Sequence, residues 1–197
     1  MRKAACVILL LALFCVSIGA QTAPSKGQSE GNPTSSQPVQ QSIHGTVYEN
    51  ETAHFTLAVP KDWVVAEAIM KQLPGLVGAL GAPGLSVAIM VQRYYVPGPK
   101  EGVKFLDAQF SKTFRDYRKV SEGPMKIDGK DAYFFTFHTL FPFGPPEKPT
   151  QIPVRLFVVL IPDGESVLGF TSQAPESGFG DSEPILNKIV TSFHRNP

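Results

Sequence analysis

Two Asp-Gly pairs, Asp128-Gly129 and Asp163-Gly164, each stand between runs of strand-like residues. An Asp-Gly pair suits the backbone of a tight hairpin. Residues 119–127 lead into the first pair, and 130–141 leave it with Phe134, Phe135, Phe137 and Phe141. Residues 152–161 lead into a turn at 162–165, and 166–172 leave it. Strands joined this tightly are antiparallel, because a parallel neighbour needs a crossover of a dozen or more residues. The run Phe141-Pro142-Phe143-Gly144-Pro145-Pro146-Glu147-Lys148-Pro149 reads as a loop, since proline offers no ladder donor.

Upstream, Thr46-Val47-Tyr48 reads as a short strand. In residues 53–59, Phe55, Leu57 and Val59 alternate onto one strand face. Pro60-Lys61-Asp62 turns the chain into Trp63, the only tryptophan, which is expected to cap the core. Residues 85–95 are almost continuously apolar at first, as in a central strand. Val103, Leu106, Phe110 and Phe114 fall on one face of a helix expected at 102–117. A closing helix is expected with Asp181 or Ser182 as its cap and Pro184 in its first turn. Ile185, Leu186, Ile189, Val190 and Phe193 form its apolar face. These elements predict an α+β domain: a mainly antiparallel β-sheet of about six strands, flanked by helices on both faces.

Residues 64–84 admit two readings. Val65, Ile69 and Leu73 have helical spacing, which Pro74-Gly75 breaks. Leu76, Val77 and Leu80 follow on a Gly- and Ala-rich stretch with few charges. A short helix and a loop packed over the sheet would bury this segment. Alternatively it forms an exposed apolar lip for a partner, lipid or ligand. The expected partner-binding residues are Leu73, Leu76, Val77, Leu80, Phe141 and Phe143.

Residues 1–20 read as a secretory signal peptide: Arg2 and Lys3, an apolar stretch from Ala4 to Ile18, then Gly19-Ala20. The stretch is shorter than the ~20 apolar residues of a membrane-crossing helix, so no stable membrane span is expected after cleavage. Lipid attachment at Cys15 is disfavoured by the bulky Phe14 before it. Both cysteines, Cys6 and Cys15, lie in this leader, so the exported chain is expected to be free of disulfides and thiols. Residues 21–44, rich in Gln, Ser, Pro, Gly and Thr, read as a flexible linker. The folded domain is expected at 45–197. Without Arg2 and Lys3 the chain has 16 basic and 17 acidic residues, and no basic run suggests nucleic acid.

The sequence points to no catalytic, cofactor or metal site. His44, His54, His138 and His194 form no ligand-spaced pair. There is no Gly-x-Ser-x-Gly, Ser-x-x-Lys, Walker or dinucleotide motif. Asp128/Asp131 and Asp163/Glu165 read as solvated turn residues beside glycine. Asn50-Glu51-Thr52 matches a glycosylation sequon.

The order of elements, with Tyr48-x-Asn50 leading into Phe55-Thr56-Leu57-Ala58-Val59-Pro60-Lys61-Asp62-Trp63, resembles the PsbP-like superfamily. That superfamily includes DcrB-type exported bacterial proteins and the extrinsic PsbP subunit of photosystem II. The resemblance spans roughly 45–195 and implies a PsbP-like α/β/α sandwich. It implies little about function, since its members are mostly non-enzymatic accessory or binding proteins, and no functional residue is carried over. An exported non-catalytic accessory or binding protein is the first reading. The expected partner is a protein of the cell envelope or outside the cell. A small-molecule or lipid carrier is the second reading, with the fourteen phenylalanines lining a pocket. A hydrolase with a dispersed site, built on His54, His138 and a carboxylate, is the third.

Overall fold

The computed structural model describes residues 39–73, 75–143 and 147–196. The expected signal peptide and most of the linker lie outside the described residues. The fold starts before the expected boundary at 45. Strand β1 (Gln41–His44) pairs antiparallel with β2 (Val47–Asn50) across a turn at Gly45-Thr46. The polar composition of 41–44 concealed a sheet-edge strand, which needs little apolar surface of its own.

Strand β2 also pairs with β3 (Phe55–Ala58). The chain then forms β4 (Val64–Val65), α1 (Glu67–Gln72), β5 (Leu76–Gly81) and, past a 3₁₀ turn at Pro83–Leu85, β6 (Ala88–Tyr94). Helix α2 (Pro99–Thr113) precedes β7 (Arg118–Ile127), β8 (Lys130–Phe143), β9 (Thr150–Asp163) and β10 (Ser166–Pro175). A 3₁₀ turn at Glu176–Gly178, α3 (Phe179–Thr191) and β11 (His194–Arg195) close the fold. The large sheet has the order β4-β5-β6-β10-β9-β8-β7, and the small one β1-β2-β3-β11. Every recorded pairing is antiparallel. The described residues thus form seven- and four-stranded sheets where about six strands were expected.

The large sheet has two covered faces. Phe157, Val159, Leu168 and Phe170 on one face pack with Phe55, Trp63, Leu186 and Ile189, beneath the small sheet and α3. Phe135, Phe137, Leu156 and Val158 on the other face pack with Val103, Leu106 and Phe110 of α2. A separate cluster on that second face joins Ile69 of α1 to Ala79, Ala88 and Met90. Gly102 lets α2 approach closely, since a Cβ there would meet Leu160 Cδ1 at 2.6 Å.

Several local expectations change. Residues 76–81 are not a covering loop but strand β5, paired with β6 and β4. The ladder slips between Leu76 and Gly78, leaving Val77 as a bulge. Its carbonyl accepts from Asn50 Nδ2 at 2.6 Å. Asn50 Nδ2 also donates to the Tyr48 hydroxyl at 3.0 Å, and Asn50 Oδ1 accepts from Ala53 N at 2.7 Å. The Tyr48 hydroxyl donates to Gln41 Oε1 at 2.7 Å, which also accepts from Ala79 N at 3.2 Å. Tyr48-x-Asn50 is thus the fastening of the small sheet to β5. Burial pushes the Tyr48 pKa up to about 12, against a smaller opposing effect of the Asn50 bond. With Asn50 fully buried, the folded domain presents no glycan acceptor at the sequon.

Strand β8 runs through Pro142 and Phe143, which pair with Gln151 and Thr150. Strand β7 stops at the pair Arg118↔His138. Pro142 therefore lies on an open edge, where a missing N–H costs nothing. The β9–β10 turn is Gly164-Glu165, with Asp163 still paired to Ser166. Asp163 is therefore not a solvated turn residue. It is buried, with Arg93 Nη1 at 2.7 Å from Oδ2 and Arg195 Nη1 at 2.8 Å from Oδ1. Helix α3 starts at Phe179, ahead of the expected cap, so Pro184 falls inside it. Buried Phe179 seats that early first turn in the core.

Candidate functional site

Strand β10 ends at Pro175, opposite Val154, while β8 and β9 continue to Phe143 and Thr150. The two strands project as an arm past the end of β10. On the arm's α2-side face, Phe141 is buried against Phe114 of the α2 end, at 5.5 Å between ring centroids. Phe143 and Ile152, further out, remain half-buried. The 3₁₀ turn after β5 stands opposite.

Between arm and turn lies a cleft of about 170 Å³. Phe143, Ile152 and Val154 line it from the arm, and Gly84, Leu85 and Ser86 from the turn. Gln173, Ala174 and Pro175, the end of β10, complete it. Its lining is overwhelmingly apolar. It falls between the α2 cluster and the α1 cluster, where no helix among the described residues covers the sheet.

Two features set this cleft apart from a packing gap. Leu85 has φ of 53°, in the left-handed region that leucine rarely adopts. Two backbone bonds hold it there, Leu85 N to Ala82 O at 2.8 Å and Ala82 N to Val87 O at 3.0 Å. Gln173 is 9% exposed, and its Oε1 has no hydrogen-bond partner among the described residues. A buried acceptor left unmet costs about 1–3 kcal/mol. Strain and an unmet polar group at one cleft are marks of a binding site.

The six residues expected to bind a partner are scattered by the fold. Leu73, Leu76 and Leu80 are buried, as is Phe141. Val77 is the half-buried bulge, packed against the main core. Only Phe143 of the six lines the cleft. The apolar side chains of the expected lip at 64–84 are therefore largely packed, because residues 76–81 are a sheet strand, while Val64 and the polar side of α1 stay exposed. Residues 144–146 of the expected loop lie outside the described residues. Leu85, Ile152 and Gln173 were missed as site residues. A leucine directly after Pro83-Gly84 was the one local sign of an unusual turn.

On the opposite face of the same sheet end sits an ionic cluster. His138 Nδ1 lies 3.3 Å from Glu176 Oε2, and Nε2 lies 3.6 Å from Asp116 Oδ2. Arg155 makes a two-pronged pair with Glu176, its guanidinium 5.2 Å above the Phe179 ring. Burial raises the Glu176 pKa, but hydrogen bonds from Arg155 and His138 outweigh it and hold the carboxyl below its ordinary 4.5. His54 is elsewhere, in the turn before β3, where its carbonyl accepts from Asn196 N. The meeting of His54 with His138 that the hydrolase reading requires is not formed. Among the described residues, no serine, threonine or lysine side chain hydrogen-bonds to His138, and no cluster suits a metal ion. The cluster ties strand to turn, as a structural ion-pair network does.

No family model matches the sequence, and no curated protein is significantly similar to it. Solved structures do share the architecture. The solution structure of cyanobacterial PsbP (CyanoP) from Synechocystis matches with a TM-score of 0.57 at 12% identity, over 78% of this chain and 94% of that one. The Saccharomyces cerevisiae Ran-binding protein Mog1p matches with 0.53 at 14% identity, over 80% and 96%. A protein of Bacteroides thetaiotaomicron matches with 0.51 at 12% identity, over 79% and 50%. The chain has the PsbP-like α+β fold.

Proposed function

We propose that this chain is an exported, non-catalytic binding or accessory protein whose binding site is the cleft at the foot of the β8–β9 arm. The cleft carries the reading: half-buried Phe143 and Ile152, left-handed Leu85 and unpartnered Gln173 converge on one opening. Export rests on the leader-like residues 1–20 and on the confinement of both cysteines to them. The naming of Mog1p for Ran binding agrees with a fold used for binding, and no contact of that protein carries over. The charged cluster around His138 lacks the nucleophile–base pair that a hydrolase would need.

Native mass spectrometry of the protein purified from its own host, alone and with Ile152→Trp to fill the cleft, tests this reading. A co-purified ligand or partner that Ile152→Trp removes is the expected result. A bound species unaffected by the substitution refutes the cleft as the site.

A further inference from the structure

The cleft sets a size as well as a chemistry. A dry apolar cavity of about 150 Å³ accepts one benzene ring, and drug-sized ligands occupy roughly 300–1,000 Å³. At about 170 Å³, this cleft matches one ring-sized group. Its walls, Leu85 on one side and Phe143 with Ile152 on the other, are apolar.

The polar requirement is equally narrow. Gln173 pairs across the sheet with Ala88 of β6 and Leu156 of β9. Neither neighbour has a side chain able to donate to it, and Oε1 goes unmet among the described residues. An amide oxygen takes an N–H or O–H donor.

We propose that the cleft binds a small planar aromatic molecule bearing one N–H or O–H donor, of the indole or phenol class. The ring lies between Leu85 and Phe143, and the donor meets Gln173. This rests on the reading of the chain as a binding protein with its site in the cleft.

The test titrates the unmodified, host-purified protein with indole and with benzothiophene, which keeps the ring shape and lacks the N–H. Binding is followed by calorimetry and by amide chemical shifts. Indole is expected to saturate one site, shifting Leu85, Phe143 and Gln173, and to bind at least about fivefold tighter than benzothiophene. Gln173→Met is expected to bring indole down to the benzothiophene affinity. Equal affinity of the two probes overturns the assigned donor contact, on unmodified protein and without any variant having to fold. Dodecanoate binding more tightly than indole overturns the ring-sized class. If neither probe binds but native mass spectrometry shows a species that Ile152→Trp removes, the ligand class is wrong and the binding role stands. If no species depends on the cleft, both fall.

Discussion

Replacing Asn50 with alanine tests how the two sheets are joined. Its side chain makes three hydrogen bonds, to the Tyr48 hydroxyl, the Val77 carbonyl and the Ala53 amide. Ala53 is 1% exposed, so its amide has no access to bulk water once Oδ1 is gone. That orphaned donor costs about 2 kcal/mol and the half-buried Val77 carbonyl about 1 kcal/mol. The expected loss is therefore about 3 kcal/mol. With a urea slope of about 2 kcal/mol/M, the midpoint falls by roughly 1.5 M. Trp63, the only tryptophan and 6% exposed in the same core, reports the transition by fluorescence. A second pair of variants makes the test specific. A Cβ at Gly78 would come within 2.5 Å of the Tyr48 hydroxyl, so Gly78→Ala should destabilise, and Tyr48→Phe should relieve part of that cost. The double variant is then more stable than the sum of the singles predicts. A midpoint shift below about 0.3 M for Asn50→Ala, or strict additivity of the pair, refutes the fastening.

Gly102→Ala should destabilise by about 1–3 kcal/mol in the same assay, because the new methyl meets Leu160 Cδ1. Helix propensity alone predicts a gain of about 1 kcal/mol, so the sign decides between them. Asp163→Ala leaves Arg93 and Arg195 facing each other without their shared carboxylate. A loss of about 2–3 kcal/mol is expected in urea melts, discounted because the two arginines are partly exposed. The folded-state pKa of Glu176 is depressed, so its contribution is present above the ordinary 4.5 and is lost as pH falls through the folded value. Glu176→Gln should lower stability near neutrality and flatten its decline in acid, read as thermal midpoint against pH.

The hairpins were legible because Asp128-Gly129 carries a local geometric demand, and the structure shows φ of 50° and 72° there. The α2 stripe of Val103, Leu106 and Phe110 was legible because a helix writes its buried face into its own spacing. Strand β5 was not, since Gly78, Ala79 and Gly81 are small for tertiary reasons: Tyr48 and Leu85 lie against Gly78 and Gly81. Pro142 misled because the sequence does not say on which edge a missing donor falls. The cleft was hidden for a related reason. Phe143 belongs to a segment that looked like a loop, while Leu85, Ile152 and Gln173 come from three other elements and meet only where β10 ends before its neighbours.

Strand β11, only two residues long, has a consequence in time. It pairs with β3, and Arg195 reaches both the Ala53 carbonyl at 2.5 Å and the Asp163 carboxylate. During synthesis the first three strands of the small sheet are made early and its fourth, His194–Arg195, only after every other described element. Until residues 193–195 arrive, Phe55 lacks both its outer strand and the Phe193 ring that packs 5.5 Å away. The small sheet is therefore complete only once residues 193–195 are in place.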